Sequence, residues 1–149
     1  MDIDMDIAIK KVTKYQCEYT LKRDDKSVEI ITLDTKTYFL HDICHFVVEK
    51  NIKYANGFWG MLSQGYTFGK LFGKDNLLRE LRFIERIVGP VQSVFLGYIP
   101  EQEFGQYIMH LNFTITDDVL KNCLTELEEI TKKWEQLKIG EQLTLEFNL

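Results

Sequence analysis

Residues 27–50, SVEIITLDTKTYFLHDICHFVVEK, change within one run from the period of a β-strand to the period of an α-helix. The β-branched run SVEIITL is typical of a strand. From Thr37 to about Lys53 the apolar residues instead recur at helical spacing, and Asp34 or Thr35 is available as the N-cap. A strand that leads into a helix in this way indicates a fold built from both kinds of element.

The residues before this run predict further strands. Apolar side chains alternate with polar or small ones in the first segment, at Ile3, Met5, Ile7 and Ile9. A period of two is the pattern of a half-buried strand. Residues 15–33 continue with two β-rich runs separated by RDDK, which predicts an antiparallel hairpin.

The second half of the chain alternates between helical and strand-like patterns. Residues 75–88 predict a helix that the Gly89–Pro90 pair ends. Residues 91–116, joined through PEQEF, predict a second hairpin because apolar and polar residues alternate from Tyr107 onward. Thr116 is the predicted cap of a helix that runs to about residue 137, and residues 143–149 predict a closing strand.

Residues 57–73 combine five glycines with aromatic side chains, and their sequence allows either a short, tightly packed helix or an irregular loop. Gly65, Gly69 and Gly73 are spaced by four, which favours close packing of this segment inside a core. Together the patterns predict one α+β domain over residues 1–149. Its mainly antiparallel sheet consists of the N-terminal strands, the 91–116 hairpin and the C-terminal strand, covered by three to four helices.

Composition limits the classes of partner and compartment. A net charge of -5 and a pI near 5.2 oppose a nucleic-acid-binding surface, which needs clustered Lys and Arg in excess. No window is apolar enough for a membrane span, and the N-terminus lacks the pattern of a signal peptide. Cys17, Cys44 and Cys123 have no metal-binding spacing, so reduced, buried thiols and a cytoplasmic location are predicted.

Residues 41–49, HDICHFVVE, place His41, Asp42, His45 and Glu49 on one polar face of the predicted helix. Two histidines four residues apart can direct their ring nitrogens at one divalent metal such as zinc, as in the H-E-x-x-H motif. Asp42 stands where that motif has its glutamate base. Its side chain is one methylene shorter, which draws the carboxylate back from a metal-bound water.

The third ligand of such a site is not decided by the sequence. One candidate set is His41, His45 and Glu49, although eight residues at 1.5 Å each put Glu49 about 12 Å along the axis from His41. His110, Glu80 and Glu85 are candidates from other elements. The alternatives to a metal site are a self-satisfied, hydrogen-bonded polar seam, and metal-free acid–base or ligand contacts.

The segments HDICHFVVE, GFWGMLSQG and WEQLKIGEQLTLEF resemble a set of short bacterial proteins with no known activity. These proteins share an H-D-x-x-H-x-x-x-E helix, a G-F-W-G turn and a C-terminal helix followed by a strand. The resemblance covers most of the chain and implies that the turn at residues 57–60 and the polar stripe form a linked unit. If the turn packs over the stripe, His41, Asp42, His45, Glu49 and Trp59 would line a ligand pocket.

These observations predict a small cytoplasmic binding or interaction module with a polar His/Asp/Glu pocket. Its expected partner is a small molecule or a protein, with neither nucleic acid nor a membrane. The alternative is a metal-dependent hydrolase or other metalloenzyme that uses His41 and His45. The sequence decides neither whether the protein is an enzyme nor whether it forms a homo-oligomer, for which an exposed apolar patch would be the signal.

Overall fold

The computed structural model describes residues 4–71 and 79–149. Within them the chain forms four strands, β1 (Asp4–Lys11), β2 (Gln16–Arg23), β3 (Val28–Asp34) and β4 (Gln142–Asn148). It also forms six α-helices there, α1 (Thr35–Ile52), α2 (Phe58–Ser63), α3 (Phe68–Leu71), α4 (Arg79–Phe95), α5 (Phe104–Ile108) and α6 (Asp117–Gln136), with a 3₁₀ turn at Glu101–Glu103.

The four strands form one antiparallel sheet in the order β3-β2-β1-β4. The C-terminal strand pairs with the N-terminal one, with Ile7 opposite Leu145 and also opposite Leu21 of β2. Side chains on one face are buried with alternating period, among them Met5, Ile9, Tyr19 and Phe147. The α+β class, the N-terminal strand, the 15–33 hairpin and the closing strand are confirmed.

Helix α1 follows β3 directly and is buried on nearly all sides. The Asp34 carboxylate caps it by accepting a hydrogen bond from the Thr37 amide at 2.9 Å. Phe46 contacts Phe147 of the sheet, and Phe39 stacks on Trp134 of α6 at 4.3 Å between ring centroids. Three polar residues of α1, Asp42, His45 and Glu49, are buried together with its apolar residues, because α2 and α4 as well as the sheet pack against this helix.

The predicted end of the fourth helix at Gly89–Pro90 is wrong, because α4 continues through this pair to Phe95. Pro90 cannot donate a backbone hydrogen bond, but the apolar spacing does not stop there. Val88 and Val91 are both buried, and Val94 packs against the core one turn later. Burial of this face offsets the lost hydrogen bond, so the helix persists.

The 91–116 hairpin is therefore wrong as well. Its first part belongs to α4, and its second part contains the short helix α5. In α5 the buried side chains are Phe104 and Ile108, which are four residues apart, whereas Tyr107 and Met109 of the alternating pattern are 46% and 79% exposed. Burial in this segment follows the helical spacing of Phe104 and Ile108, so the period of two did not produce a strand.

The described part of residues 57–73 forms two short helices, α2 and α3, and Gly73 lies outside the described residues. Close packing occurs at Gly57 and Gly60. A Cβ on Gly57 would meet the Glu49 carboxylate, and one on Gly60 would meet the backbone of Ala55. A Cβ added at Gly65 or Gly69 would lie in open space, so the four-residue spacing of these glycines does not reflect close packing.

The remaining helix predictions are confirmed where the structure describes them. Thr116 caps α6 by accepting a hydrogen bond from the Val119 amide at 3.2 Å. The predicted helix at 75–88 is present from Arg79, and its first four residues lie outside the described segments. Neither described segment contains a helix with the length and apolarity needed to cross a bilayer.

Candidate metal centre

Two helices bring four polar side chains to one place. His41 and His45 lie one turn apart on α1, and Glu85 and Gln92 lie two turns apart on α4. The two imidazole rings meet edge to face, with centroids 4.8 Å apart and an interplanar angle of 79°. The pairing of these helices therefore builds a cluster from residues that are 40 and 44 positions apart in the sequence.

The Nε2 atoms of both histidines converge on the Glu85 carboxylate. Glu85 Oε1 lies 2.7 Å from His45 Nε2, and Oε2 lies 3.1 Å from His41 Nε2. One ligand atom from each of the three side chains lies within 4.8 Å of the other two. Two imidazole nitrogens and a carboxylate oxygen form a donor set suited to zinc and other divalent transition metals.

The opposite nitrogen of each ring is held by a separate oxygen. His41 Nδ1 lies 2.9 Å from Gln92 Oε1, and His45 Nδ1 lies 2.8 Å from Glu49 Oε2. Because an amide or carboxylate oxygen can only accept, each Nδ1 is the donor. This arrangement fixes the orientation of each ring and directs both Nε2 atoms at Glu85. Histidines that bind a metal are commonly oriented in the same way, by a hydrogen bond from the ring nitrogen that does not bind the ion.

Glu49 anchors the cluster to the segment that follows α1. Its side chain is fully buried and accepts hydrogen bonds from the amides of Phe58 at 2.7 Å, Trp59 at 2.9 Å and Gly60 at 3.2 Å. The carboxylate thus joins the first turn of α2 to His45. Gly57 leaves room for this close approach, because a Cβ there would occupy the space of the carboxylate.

The hydrogen bonds change the acidity of the cluster. Burial alone would lower the pKa of His45, but hydrogen bonds to Glu49 and Glu85 outweigh it and raise the pKa to about 10. The hydrogen bond to Glu85 also raises the pKa of His41, against the effect of burial. Burial opposes ionisation of Glu85, yet the hydrogen bonds from the two histidines hold its pKa below the usual range.

Asp42 and Trp59 are turned into the core. The Asp42 carboxylate accepts a hydrogen bond from the Tyr19 hydroxyl at 2.8 Å, and the Asp42 backbone carbonyl accepts one from Trp59 Nε1 at 2.8 Å. Trp59 has no exposed surface. Burial raises the pKa of Asp42 to about 6, although the Tyr19 hydrogen bond acts in the opposite direction.

The structure brings together some of the predicted site residues and separates others. Glu85, one of the three candidate third ligands from other elements, faces both histidines, whereas Glu49 contacts His45 only at Nδ1. Glu80 and His110 are exposed, and neither belongs to a potential metal-binding group in the described parts of the chain. All three cysteines are buried and unbonded to one another, and burial raises the pKa of Cys44 to about 12.

Gln92 is the site residue that the sequence did not reveal, because its segment was assigned to a hairpin. The signal was present in the spacing, since Gln92 follows Glu85 by seven residues, which is two turns of an uninterrupted helix.

Comparisons with protein-family models, curated proteins and solved structures find no match to this chain. The fold and the cluster thus define it as an α+β domain with a His41/His45/Glu85 group that could hold a metal ion.

Proposed function

We propose that this chain is a metal-binding domain that holds one divalent transition-metal ion through His41 Nε2, His45 Nε2 and the Glu85 carboxylate. The observation that carries the proposal is the direction of the four ring nitrogens. Both Nε2 atoms point to one carboxylate, while each Nδ1 is occupied by a different oxygen. If these residues served only to hydrogen-bond one another, the two rings would not need to direct the same nitrogen, Nε2, at one carboxylate.

The spacing of the ligand atoms suits an ion after a small adjustment of the side chains. Bonds of about 2.0–2.1 Å to zinc place tetrahedral ligand atoms about 3.3 Å from one another. The oxygens of Glu85 already lie 2.7 and 3.1 Å from the two Nε2 atoms, and no separation in the group exceeds 4.8 Å. Side-chain rotations are sufficient to bring the ligand atoms to this separation, because the three ligands lie on two helices that pack against each other.

The charges of the cluster also suit a divalent cation. Glu49 and Glu85 bring two carboxylates to the two imidazoles, and both contact His45. Without an ion, protonated imidazoles balance them. With an ion, both rings are neutral and the 2+ charge takes the place of two protons. The net charge of the site is then unchanged, so binding leaves no uncompensated charge in the interior.

The site opens to solvent on one side. The side chains of His41 and Glu85 are 38% and 43% exposed, whereas that of His45 is 2% exposed. A three-ligand site of this kind leaves a coordination position for water or a ligand. That open position supports a metal-dependent hydrolase as a second candidate function. Asp42, however, is hydrogen-bonded to Tyr19 and is not placed to act as the general base of such an enzyme.

Metal analysis of protein prepared without a histidine tag tests the proposal. We expect one zinc per chain after equilibration at micromolar zinc, and loss of the ion in His45→Ala and in Glu85→Gln. His110→Ala and Glu80→Gln are matched controls, because both residues are exposed and lie outside the cluster. Absence of bound metal in the native chain, or equal loss in the controls, contradicts the proposal.

A further inference from the structure

The face of the sheet that points away from the helices presents three rows of side chains. The strand register sets their composition. The first row holds Val28, Lys22, Asp6 and Glu146, the second Ile30, Thr20, Ala8 and Thr144, and the third Thr32, Glu18, Lys10 and Gln142. Within each row the residues come from β3, β2, β1 and β4 in that order, so the two middle positions lie at the centre of the sheet.

The central strands carry a square of alternating charges. Lys22 lies opposite Asp6 in the first row, and Glu18 lies opposite Lys10 in the third, with small side chains between the two rows. None of these four side chains takes part in an ion pair with another described residue. Four charges are therefore available to an external surface.

A second copy of the chain matches this square. Rotation by 180° about an axis parallel to the strands, between β1 and β2, lays β2 over β1 of the partner subunit. Lys22 then faces Asp6 of the partner subunit, and Glu18 faces Lys10 of the partner subunit. Because such an interface is isologous, each pairing occurs twice, and four ion pairs result.

The same rotation matches shape as well as charge. It lays β3 over the partner's β4, so that Ile30 faces Thr144 of the partner subunit. Ile30 is 59% exposed on this face. Thr144 lies with Ala8 and Thr20 in a hollow of about 500 Å³ on the open face. A large exposed apolar side chain is thus placed against a depression whose lining includes these three small residues together with Lys22, Asp6 and Glu146.

We propose that two copies of this chain associate through the open faces of their sheets, by the two-fold axis parallel to the strands. Four strands at about 4.8 Å spacing and seven residues at about 3.4 Å give a footprint of about 450 Å² per copy. The total of about 900 Å² is in the range of weak, transient interfaces. Twisted sheets pack at about −30°, so contact is densest on the central strands that carry the charges.

A two-fold axis across the strands is the competing arrangement. It would place Lys22 over Glu18 of the partner subunit and Asp6 over Lys10 of the partner subunit, which also matches charge. It would, however, lay Ile30 over Ile30 of the partner subunit and leave the hollow unfilled. Packing therefore favours the axis parallel to the strands.

Sedimentation over a range of protein concentrations tests the proposal. The native chain is expected to dimerise reversibly, more weakly at high salt, and Lys22→Glu is expected to shift it to monomer. Adding Asp6→Lys to Lys22→Glu restores the dimer only for the proposed axis, and adding Glu18→Lys restores it only for the competing one. Lys121→Glu is the charge control, since Lys121 is exposed on α6.

Ile30→Thr gives a second test that leaves every charge in place. It is expected to weaken association at least tenfold, whereas Met109→Thr, which changes an exposed residue of the α5 region, has no effect. Circular dichroism establishes that each variant is folded. A native chain that is monomeric at all concentrations, rescue by Glu18→Lys in place of Asp6→Lys, or a dimer insensitive to both Lys22→Glu and Ile30→Thr overturns the proposal.

Discussion

His45 has an oxygen partner at each ring nitrogen, and this makes it the central residue of the cluster. Glu49 Oε2 lies 2.8 Å from Nδ1, and Glu85 Oε1 lies 2.7 Å from Nε2. The two partners differ in burial, since the Glu49 side chain is inaccessible and that of Glu85 is 43% exposed. Glu49 therefore orients the ring from the interior, and Glu85 is placed to share an ion with it.

Replacing Glu49 by Gln tests this orienting role. The amide nitrogen would face a donor, either an amide of α2 or His45 Nδ1, so at least one charge-assisted hydrogen bond is lost. We expect the free energy of unfolding to fall by about 3 kcal/mol, and zinc affinity to fall about 10- to 100-fold as for other partners of ligating histidines. Urea denaturation and competition with a chromophoric chelator measure the two effects.

Glu85→Gln serves as the comparison for that variant. It removes a proposed ligand from a half-exposed position, so it should abolish zinc binding at a smaller cost in stability. Unchanged zinc affinity in Glu49→Gln would show that the Glu49–His45 hydrogen bond has no influence on the ion.

Asp42 gives a pH-dependent prediction. Burial raises its pKa from 3.8 to about 6, so the folded chain binds this proton more tightly than the unfolded chain. The contribution of Asp42 to the free energy of unfolding is therefore fully present below pH 3.8, and it is lost as the pH rises to about 6. At about 1.4 kcal/mol per pH unit, the loss is about 3 kcal/mol.

Comparison with Asp42→Asn isolates that contribution, because the other titrating groups are common to both chains. The free energy of unfolding of the native chain, relative to the variant, should fall by about 3 kcal/mol from acid to neutral pH. Denaturant titrations across this interval provide the measurement. A constant difference would mean that the Asp42 carboxyl has the same pKa in the folded and unfolded chains.

At the scale of elements, the sequence predicted the parts whose pattern is local. The alternation of Met5, Ile7 and Ile9 and the helical spacing after Thr37 each produced the expected element, because the period of the pattern repeats through consecutive residues of that element. The Pro90 region could not be predicted in this way. Whether a helix tolerates a proline depends on what its next turn buries, and Val91 packs against residues distant in sequence.

The candidate site was predictable only in part for the same reason. His41 and His45 share one helix, so their spacing was visible in the sequence. Glu85 belongs to another helix, and nothing local distinguished it from Glu80 or His110. The packing of α1 against α4, which the linear pattern does not contain, determines which carboxylate reaches the two rings.

The close packing of α2 against the turn that follows α1 can be tested by adding one methyl group. In Gly60→Ala the added Cβ would meet the backbone of Ala55, which cannot rotate away, and we expect a loss of about 1–3 kcal/mol. Gly69→Ala is the control, because open space surrounds that position on α3 and a helical alanine is favoured by up to about 1 kcal/mol. Thermal denaturation compares them, and equal stabilities would contradict the packing described for α2.

At the scale of the whole molecule, the cluster links the sheet-bound helix to the outer part of the helical layer. α1 contacts the sheet through Phe46 and α6 through Phe39, and its polar residues contact α4 through Glu85 and Gln92. An ion held by both α1 and α4 would bind the folded chain and not the unfolded one. Its binding free energy would therefore add to the stability of the fold.

Zinc should accordingly raise the midpoint of thermal unfolding. At a free concentration of a hundred times its dissociation constant, an ion adds about 2.7 kcal/mol, which for a chain of this size corresponds to about 5–10 °C. Magnesium should give a smaller shift, because it prefers oxygen ligands and retains its water. His110→Ala should keep the zinc shift and His45→Ala should lose it. An equal shift with magnesium, or a shift that survives in His45→Ala, would mean that the ion binds elsewhere on the chain.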